Sequence, residues 1–411
     1  MEKDLRELSP EVQAQEARRA FTELAAEQTV DFLFSAPLYG FCISLLEGGQ
    51  KFSWKKLDEN AWQVTATKAP YPSLNSVAGA HHPATLPGDL LCVTDRKEQV
   101  WFVDPQRKQV LADVVIGGAP SHLAVHPEGH MIYVGCPGSG EVAVVDAKKR
   151  QRVTAIPVGK GGQLPNFSPD GRLAVIDCAQ THDVYLIDTE RHQVIFSQSV
   201  GAGPHEAVFT PDGRFVCVPC ASGELYLIPP ENPERVTVLR SGFGAGHIEF
   251  SADGRYAYVA DSLDDDVVIV DLSAKELVAR IPAGAGAHRP TLSEDGRLLF
   301  VANFVADTVT VIDTRSREVT ATVPVGTYPH DVVRAPGGRI AVCSYGSGTS
   351  TVIDPANSLT KTDLETGRGT SHCAFLRGGE LGLFANSISK DLTIVDMEKT
   401  TACATIPLAT R

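Results

Sequence analysis

From about residue 77 onward the chain alternates short apolar runs with glycine-rich polar turns, and the alternation keeps a register. One run recurs with an aspartate at its end: VWFVD at Asp104, VAVVD at Asp146, VYLID at Asp188, VVIVD at Asp271, VTVID at Asp313, TVID at Asp354 and TIVD at Asp396. Successive aspartates stand 42, 42, 83, 42, 41 and 42 residues apart, and the double interval holds a degenerate copy, LYLIP, with Pro229 in the aspartate's place. The spacing therefore predicts eight copies of one unit.

Each copy has the same internal order. A glycine-rich bend leads to an apolar run, then a turn such as PDGR, then a second run, the run ending in aspartate and a fourth run. Four β-type runs joined by Asp-Gly turns describe a four-stranded antiparallel meander. Such a sheet cannot cover both faces by itself, so the copies must stack around an axis. The predicted fold class is mainly β, an eight-bladed β-propeller over residues 77–411.

The second runs YVGC, YVAD and FVAN resemble the motif of the YVTN propellers. Eight such blades also resemble the propeller of the haem d1 nitrite reductases (cytochrome cd type) and of the related haem d1 maturation proteins. That resemblance covers about four-fifths of the chain. It implies a haem d1-like tetrapyrrole on the channel mouth, with one axial histidine and histidines of successive blades over the other side. The pair His288 and His330, or His205 with His247, would suit that second role.

Residues 1–67 lack the repeat. Ser9-Pro10 predicts a capped helix start, EVQAQEARRAFTELAAEQ an amphipathic helix, and TVDFLF a strand. LYGFCISLLEGG predicts a second helix, and FSWKKLDENAWQVTAT two strands. A proline-rich linker at 68–76 joins this small two-layer α/β domain to the propeller. Its pattern is similar to a domain of unknown function with the TusA/SirA fold, but the Asp-His pair and the N-terminal cysteine of those families are missing. The domain therefore reads as a docking module for a protein partner, or as a lid.

Composition narrows the functional classes. A formal charge of −13 disfavours nucleic acid and anionic membranes as partners. There is no long apolar run for a membrane span and no apolar export signal at the start, and nine cysteines scattered through apolar runs suit reduced thiols. The expected location is the cytoplasm. P-loop, dinucleotide-fold and nucleophile-elbow signatures are all lacking.

The candidate chemistry lies in the bends before the first run of each copy. They carry His81-His82, His122, Gln163, His205, His247, His288, His330 and His372, so seven of eight copies place a histidine there although the chain has only twelve. Counted back from the turn glycine, His205, His288 and His330 stand at eight residues and His122, His247 and His372 at seven. Because successive side chains on an extended strand point oppositely, only one set is expected to face the axis. Converging imidazoles in such a channel could ligate a transition metal such as iron or copper, or flank a planar ring. The metal candidates are His122, His205, His247, His288, His330 and His372. For a tetrapyrrole they are His205, His247, His288 and His330, with Arg289, Arg368 and Lys160 as partners for its carboxylates.

Two further patterns compete for attention. Cys136, Cys178 and Cys220 repeat every 42 residues, but about 10 Å should separate equivalent residues of adjacent blades, too far for one metal. DSLDDD at 261–266 offers an acidic loop for a divalent cation or, more simply, a solvated one. The leading functional expectation is a protein binding a haem d1-like tetrapyrrole or a metal in nitrogen-oxide metabolism or cofactor maturation. The alternatives are a cofactor-free protein-binding scaffold and a YVTN-type lyase or lactonase. Whether the protein is an enzyme stays open at this point.

Overall fold

In a computed structural model the chain divides into two compact units, Met1–Val77 and Ala78–Arg411. The structure describes residues 1–35, 45, 50–58, 61–69, 82–95, 97–376 and 378–408. All of the expected second helix but the helical Leu45, most of the linker, and His81 lie outside the described residues.

Among the described residues the first unit holds the helix α1 (Pro10–Thr22) and one mixed sheet. Its strands are β1 (Glu2–Asp4), β2 (Thr29–Phe34), β3 (Lys51–Asp58) and β4 (Ala61–Thr67), in the order β1-β2-β4-β3. Only the β1–β2 pair is parallel. Helix α1 (Pro10–Thr22) turns Ala17, Ala20 and Phe21 inward, and β2 buries Val30, Phe32 and Phe34. Ser9 stands at the N-cap, but its hydroxyl makes no capping hydrogen bond. Proline at the first helical position has no N–H to satisfy. Instead Gln13 ties the helix to the sheet, donating to Leu8 O at 2.7 Å and Ser35 Oγ at 2.6 Å.

The second unit is the predicted propeller. Eight four-stranded antiparallel sheets follow one another at 83–115, 123–157, 166–199, 208–240, 245–282, 287–324, 329–365 and 370–407. Each sheet takes its four strands in chain order, so among the described residues no strand is exchanged to fasten the ring. Apolar packing closes it instead. Leu91, Val93 and Trp101 of blade one share a core with Leu383, Leu392 and Ile394 of blade eight, and Thr85 Oγ1 donates to Phe375 O at 2.8 Å.

The repeated residues have mechanical reasons. The aspartate ending each third strand accepts backbone N–H groups in the next turn, as Asp104 does from Arg107 at 2.8 Å and Asp146 from Lys149 at 2.7 Å. Those hydrogen bonds hold the Asp104 carboxyl below its usual range. In the turns before the second strand, Ser168, Thr210, Ser251 and Ser293 each donate to the aspartate two residues on. The degenerate copy with Pro229 still forms a full blade, because side-chain burial between neighbouring sheets decides the fold.

Candidate functional site: a chain of imidazoles at the propeller axis

The bends before the innermost strands bring seven described histidines into one series of ring contacts. Centroid separations run His122–His82 5.0 Å, His82–His372 4.9 Å, His372–His330 5.0 Å, His330–His288 5.2 Å, His288–His247 4.5 Å and His247–His205 4.6 Å. His122 and His372 also touch directly, at 5.1 Å. Blade three contributes Gln163 and Leu164, which line a small cavity with His82, His122, His205 and His247.

Both sets of histidines therefore reach the axis, contrary to the expectation that only one would. The innermost strands are not regular where the histidines sit. Pairing with the second strand shifts between Ala245 and Ile248, Ala287 and Pro290, Pro329 and Asp331, and Thr370 and His372. A bulge breaks the alternation of side chains, so a one-residue offset in sequence no longer means opposite faces.

Charged groups flank one half of the series. Arg289 pairs with Glu206 Oε1 at 3.2 Å and with Asp331 Oδ1 at 2.9 Å. His247 Nδ1 lies 2.8 Å from Glu206 Oε2 and 3.0 Å from an Arg289 nitrogen. A guanidinium only donates and a carboxylate only accepts, so Nδ1 cannot serve both. With the shorter contact, to Glu206, as the hydrogen bond, the ring proton sits on Nδ1 and Nε2 is the nitrogen left with a lone pair. Glu206 reaches this position from a left-handed backbone conformation, φ 52°, and also accepts from Ile248 N–H at 3.2 Å. His288 Nδ1 donates to His330 O at 3.1 Å, and His330 Nδ1 to Ser371 O at 3.2 Å. Those tautomers likewise leave Nε2 as the ligating nitrogen.

The electrostatics keep these rings neutral. Burial pushes His247 and His288 well below the ordinary histidine range, and Arg289 and neighbouring imidazoles add to it. Burial raises Asp331 to about 6, with Arg289 opposing and Glu206 reinforcing the rise. Burial also raises Asp177, which lines the cavity beside His205 and accepts Ala207 N–H at 2.8 Å. For Arg289 burial acts downward, but Glu206, Asp331 and Glu249 outweigh it and the guanidinium stays charged.

Of the cations expected here, the structure brings only Arg289 into the cluster, already engaged by two carboxylates. Lys160 and Arg368 are exposed and do not line the cavity. Glu206, Asp331, Asp177 and Glu249 went unnoticed in the sequence. The signal lay beside the histidines, in GPHE, YPHD and GHIE. Cys136, Cys178 and Cys220 are buried, Cys136 and Cys220 in the cores between blades. Cys217 and Cys220, the CxxC pair, fall into two different cores, on opposite faces of blade four. The acidic loop is filled by Arg280, whose guanidinium lies 2.8 Å from Asp266, 3.7 Å from Asp264 and 3.9 Å from Asp261.

Residues 209–345 match the family model of the cytochrome D1 heme domain. The chain is an eight-bladed propeller, similar over those residues to that heme domain. Solved structures share the fold at low identity. Dihydro-heme d1 dehydrogenase NirN in complex with DHE is 17% identical with a TM-score of 0.67, over 79% of this chain and 74% of that one. Hydrazine synthase of Kuenenia stuttgartiensis is 19% identical with a TM-score of 0.56, over 78% and 96%. A functionally unknown protein from Desulfotomaculum acetoxidans DSM 771 is 15% identical with a TM-score of 0.55, over 67% and 95%. No curated protein matches the chain in sequence.

A tetrapyrrole iron held here would need a nitrogen donor with a free lone pair. His205 Nδ1 is buried and has no hydrogen-bond partner, a nitrogen suited to an axial bond. The cavity itself, about 30 Å³, takes a water or two, so a macrocycle would rest on the rim of the imidazoles and not between them. Its carboxylates would have to find Lys160 and Arg368, because Arg289 is spoken for.

Proposed function

We propose that the propeller binds a haem d1-like tetrapyrrole on the rim of the axial imidazoles, in nitrogen-oxide redox metabolism or in maturation of that cofactor. The observation that carries this reading is the buried, unpartnered His205 Nδ1 at one end of the histidine series. The match of residues 209–345 to the cytochrome D1 heme domain supports the ligand class. His205 would hold the iron through an imidazole nitrogen, His247 and His288 would line the site as neutral imidazoles, and Glu206 would hold the His247 tautomer. Bound iron would supply the redox chemistry. The residues of this chain orient the ring, exclude water and keep a proton at His247 Nδ1.

The small N-terminal unit is proposed as the docking module for a protein partner, with the linker near 68–76 between it and the propeller. A cytoplasmic setting is proposed on the buried free thiols, which suit a reducing compartment. Among the described residues no helix is long and apolar enough to cross a membrane.

The test is reconstitution of the full chain with haem, read by visible absorption. His205→Ala and the double change His288→Ala with His330→Ala should each weaken or shift the bound spectrum. The exposed His130→Ala should leave it as in wild type. A wild-type protein that takes up no tetrapyrrole would overturn the reading.

A further inference from the structure

The bends that carry the histidines share a second position, at the tip of each bend. In the six bends entering blades three to eight the tip residues are Lys160, Ala202, Phe243, Ala285, Thr327 and Arg368, spaced 42, 41, 42, 42 and 41 residues apart. The residue after the tip is left-handed in all six, from φ 55° at Tyr328 to 88° at Gly244. Its carbonyl accepts an N–H from just past the second strand of the blade that the bend enters. Gly161 O accepts from Ala179 at 3.3 Å in this way, and Gly369 O from Ser387 at 3.1 Å. The six bends therefore share one backbone arrangement, and the side chain at the tip is what varies.

The tips fall into two kinds. Each bend starts beside the turn between the second and third strands of the blade it leaves, at a residue that is also left-handed: Gly140, His182, Gly223, Asp265, Asp307 or Gly348. Where that residue has a side chain, it caps the bend. His182 Nδ1 accepts from Gly203 N–H at 3.3 Å, Asp265 Oδ1 from Gly286 N–H at 2.7 Å and Asp307 Oδ1 from Tyr328 N–H at 2.8 Å. The tips of those bends are small: Ala202, Ala285 and Thr327. Where the turn residue is glycine, the tip is large and lies over it. A β-carbon added at Gly140, Gly223 or Gly348 would meet Lys160 Cγ at 3.5 Å, Phe243 Cδ1 at 3.3 Å or Arg368 Cγ at 3.6 Å. Three blades thus exchange a side-chain cap for a glycine that makes room for a large tip. Folding gains little from it, because Lys160 and Arg368 are exposed and Phe243 is 37% exposed.

The large tips enter blades three, five and eight, so they stand two, three and three blades apart and surround the axis. Two are cations and one is an aromatic ring. Among the described residues, the other exposed large apolar side chains of the propeller, Val115 and Val153 among them, lie on outermost strands, away from the histidine bends. We infer that Lys160, Phe243 and Arg368 form a three-point specificity ring for a flat, amphiphilic ligand with two acid groups, centred on the axis. The cations pair with the acid groups, and Phe243 covers an apolar part of the ligand. This rests on the tetrapyrrole reading above and adds the apolar contact to it. Phe243 is placed for that contact. Its N–H donates to Asp264 Oδ2 at 3.3 Å, and Gly242 and Gly244, at φ 109° and 88°, allow the ring to turn toward a ligand.

The experiment titrates the full chain with haem, which carries two carboxylates, and reads visible absorption. Phe243→Ala should raise Kd about tenfold, the loss expected when part of an aromatic ring no longer covers apolar surface. Phe243→Trp should bind as tightly as wild type, and its added emission should be quenched as haem binds. Lys160→Ala with Arg368→Ala should raise Kd about tenfold at low salt and remove the salt dependence that wild type shows. Val153→Ser, on the outermost strand of blade two, should bind as wild type. Thermal melts identify any variant that does not fold. If wild type binds haem and His205→Ala weakens it, but Phe243→Ala and the double variant bind as wild type, this inference alone is overturned. Phe243→Trp binding as weakly as Phe243→Ala would also overturn it, since an aromatic ring at the tip would then not be the contact. A wild type that binds no haem overturns the tetrapyrrole reading, and this inference with it.

Discussion

Arg289 Nε lies 2.9 Å from Asp331 Oδ1, in a cluster where Asp331, Glu206 and His247 are all buried. Removing one member of a buried charge set leaves the others uncompensated, which costs about 3–5 kcal/mol. Arg289→Met should therefore destabilise the propeller by that amount in denaturant unfolding. Adding Glu206→Gln and Asp331→Asn should recover most of the loss, since no unpaired charge then remains. A cost below about 1 kcal/mol for Arg289→Met would mean that water, and not the guanidinium, solvates the carboxylates.

The same cluster gives stability two opposed dependences on pH. His247 and His288 stay neutral when folded but protonate near 6.5 when unfolded, so their contribution is lost as pH falls below about 6.5. Asp331 holds its proton in the folded state up to about 6 and releases it near 3.9 when unfolded. Its contribution, up to about 3 kcal/mol, is complete at low pH and lost as pH rises through 6. On acidification from pH 7 to 5, Asp331 thus offsets part of what the histidines lose. Asp331→Asn removes the offset, and its melting temperature should fall more steeply over that interval than wild type's. A shallower fall in the variant would show that Asp331 is ionised throughout in the folded protein.

The blades were legible because their causes are local and repeated: Asp-Gly turns, alternating apolar runs, and an aspartate at Asp104, Asp146 and Asp188 that caps the next turn. The histidine bends were visible too, but the direction of each ring was not. A bulge such as the one around His247 depends on pairing with Val259 and Asp261, which no count of residues within the bend reports. Glu206 escaped notice because its role depends on His247 and Arg289, 41 and 83 residues away in sequence. Composition alone made Lys160, Arg289 and Arg368 look alike. Burial separates them, since Arg289 alone of the three extends into a neighbouring carboxylate pair.

The acidic loop at 261–266 offers a sharper test of how its charge is balanced. Burial, with Asp264 and Asp266 nearby, raises the Asp261 carboxyl to about 9, and Arg280 supplies the cation in contact with it. Arg280 Nη2 also donates to Ser241 O at 2.7 Å, which anchors it to blade four. Wild type should show no calcium-dependent rise in melting temperature from this loop. Arg280→Ala should melt lower than wild type and regain part of the loss in millimolar calcium, because the ion replaces the missing guanidinium. If calcium leaves Arg280→Ala unchanged, the loop relies on protonation of Asp261 and not on a cation.

The cysteine column predicts a reactivity pattern. Burial pushes the thiols of Cys136 and Cys178 up to about 12, and Cys220 rises for the same reason. The thiolate is the reactive form, and a buried thiol with so high a pKa presents almost none of it at neutral pH. Cys403 is exposed on the outermost strand of blade eight. In native protein treated briefly with iodoacetamide at pH 7.5, peptide mapping should find Cys403 alkylated at least a hundredfold faster than Cys136, Cys178 and Cys220. All four should react alike in denaturant. Since all three are buried, with Cys136 in one core with Ile132 and Cys220 in another with Val218, zinc should not change their rates. Protection of Cys136, Cys178 or Cys220 by zinc would instead show that a thiolate of the column can reach an ion.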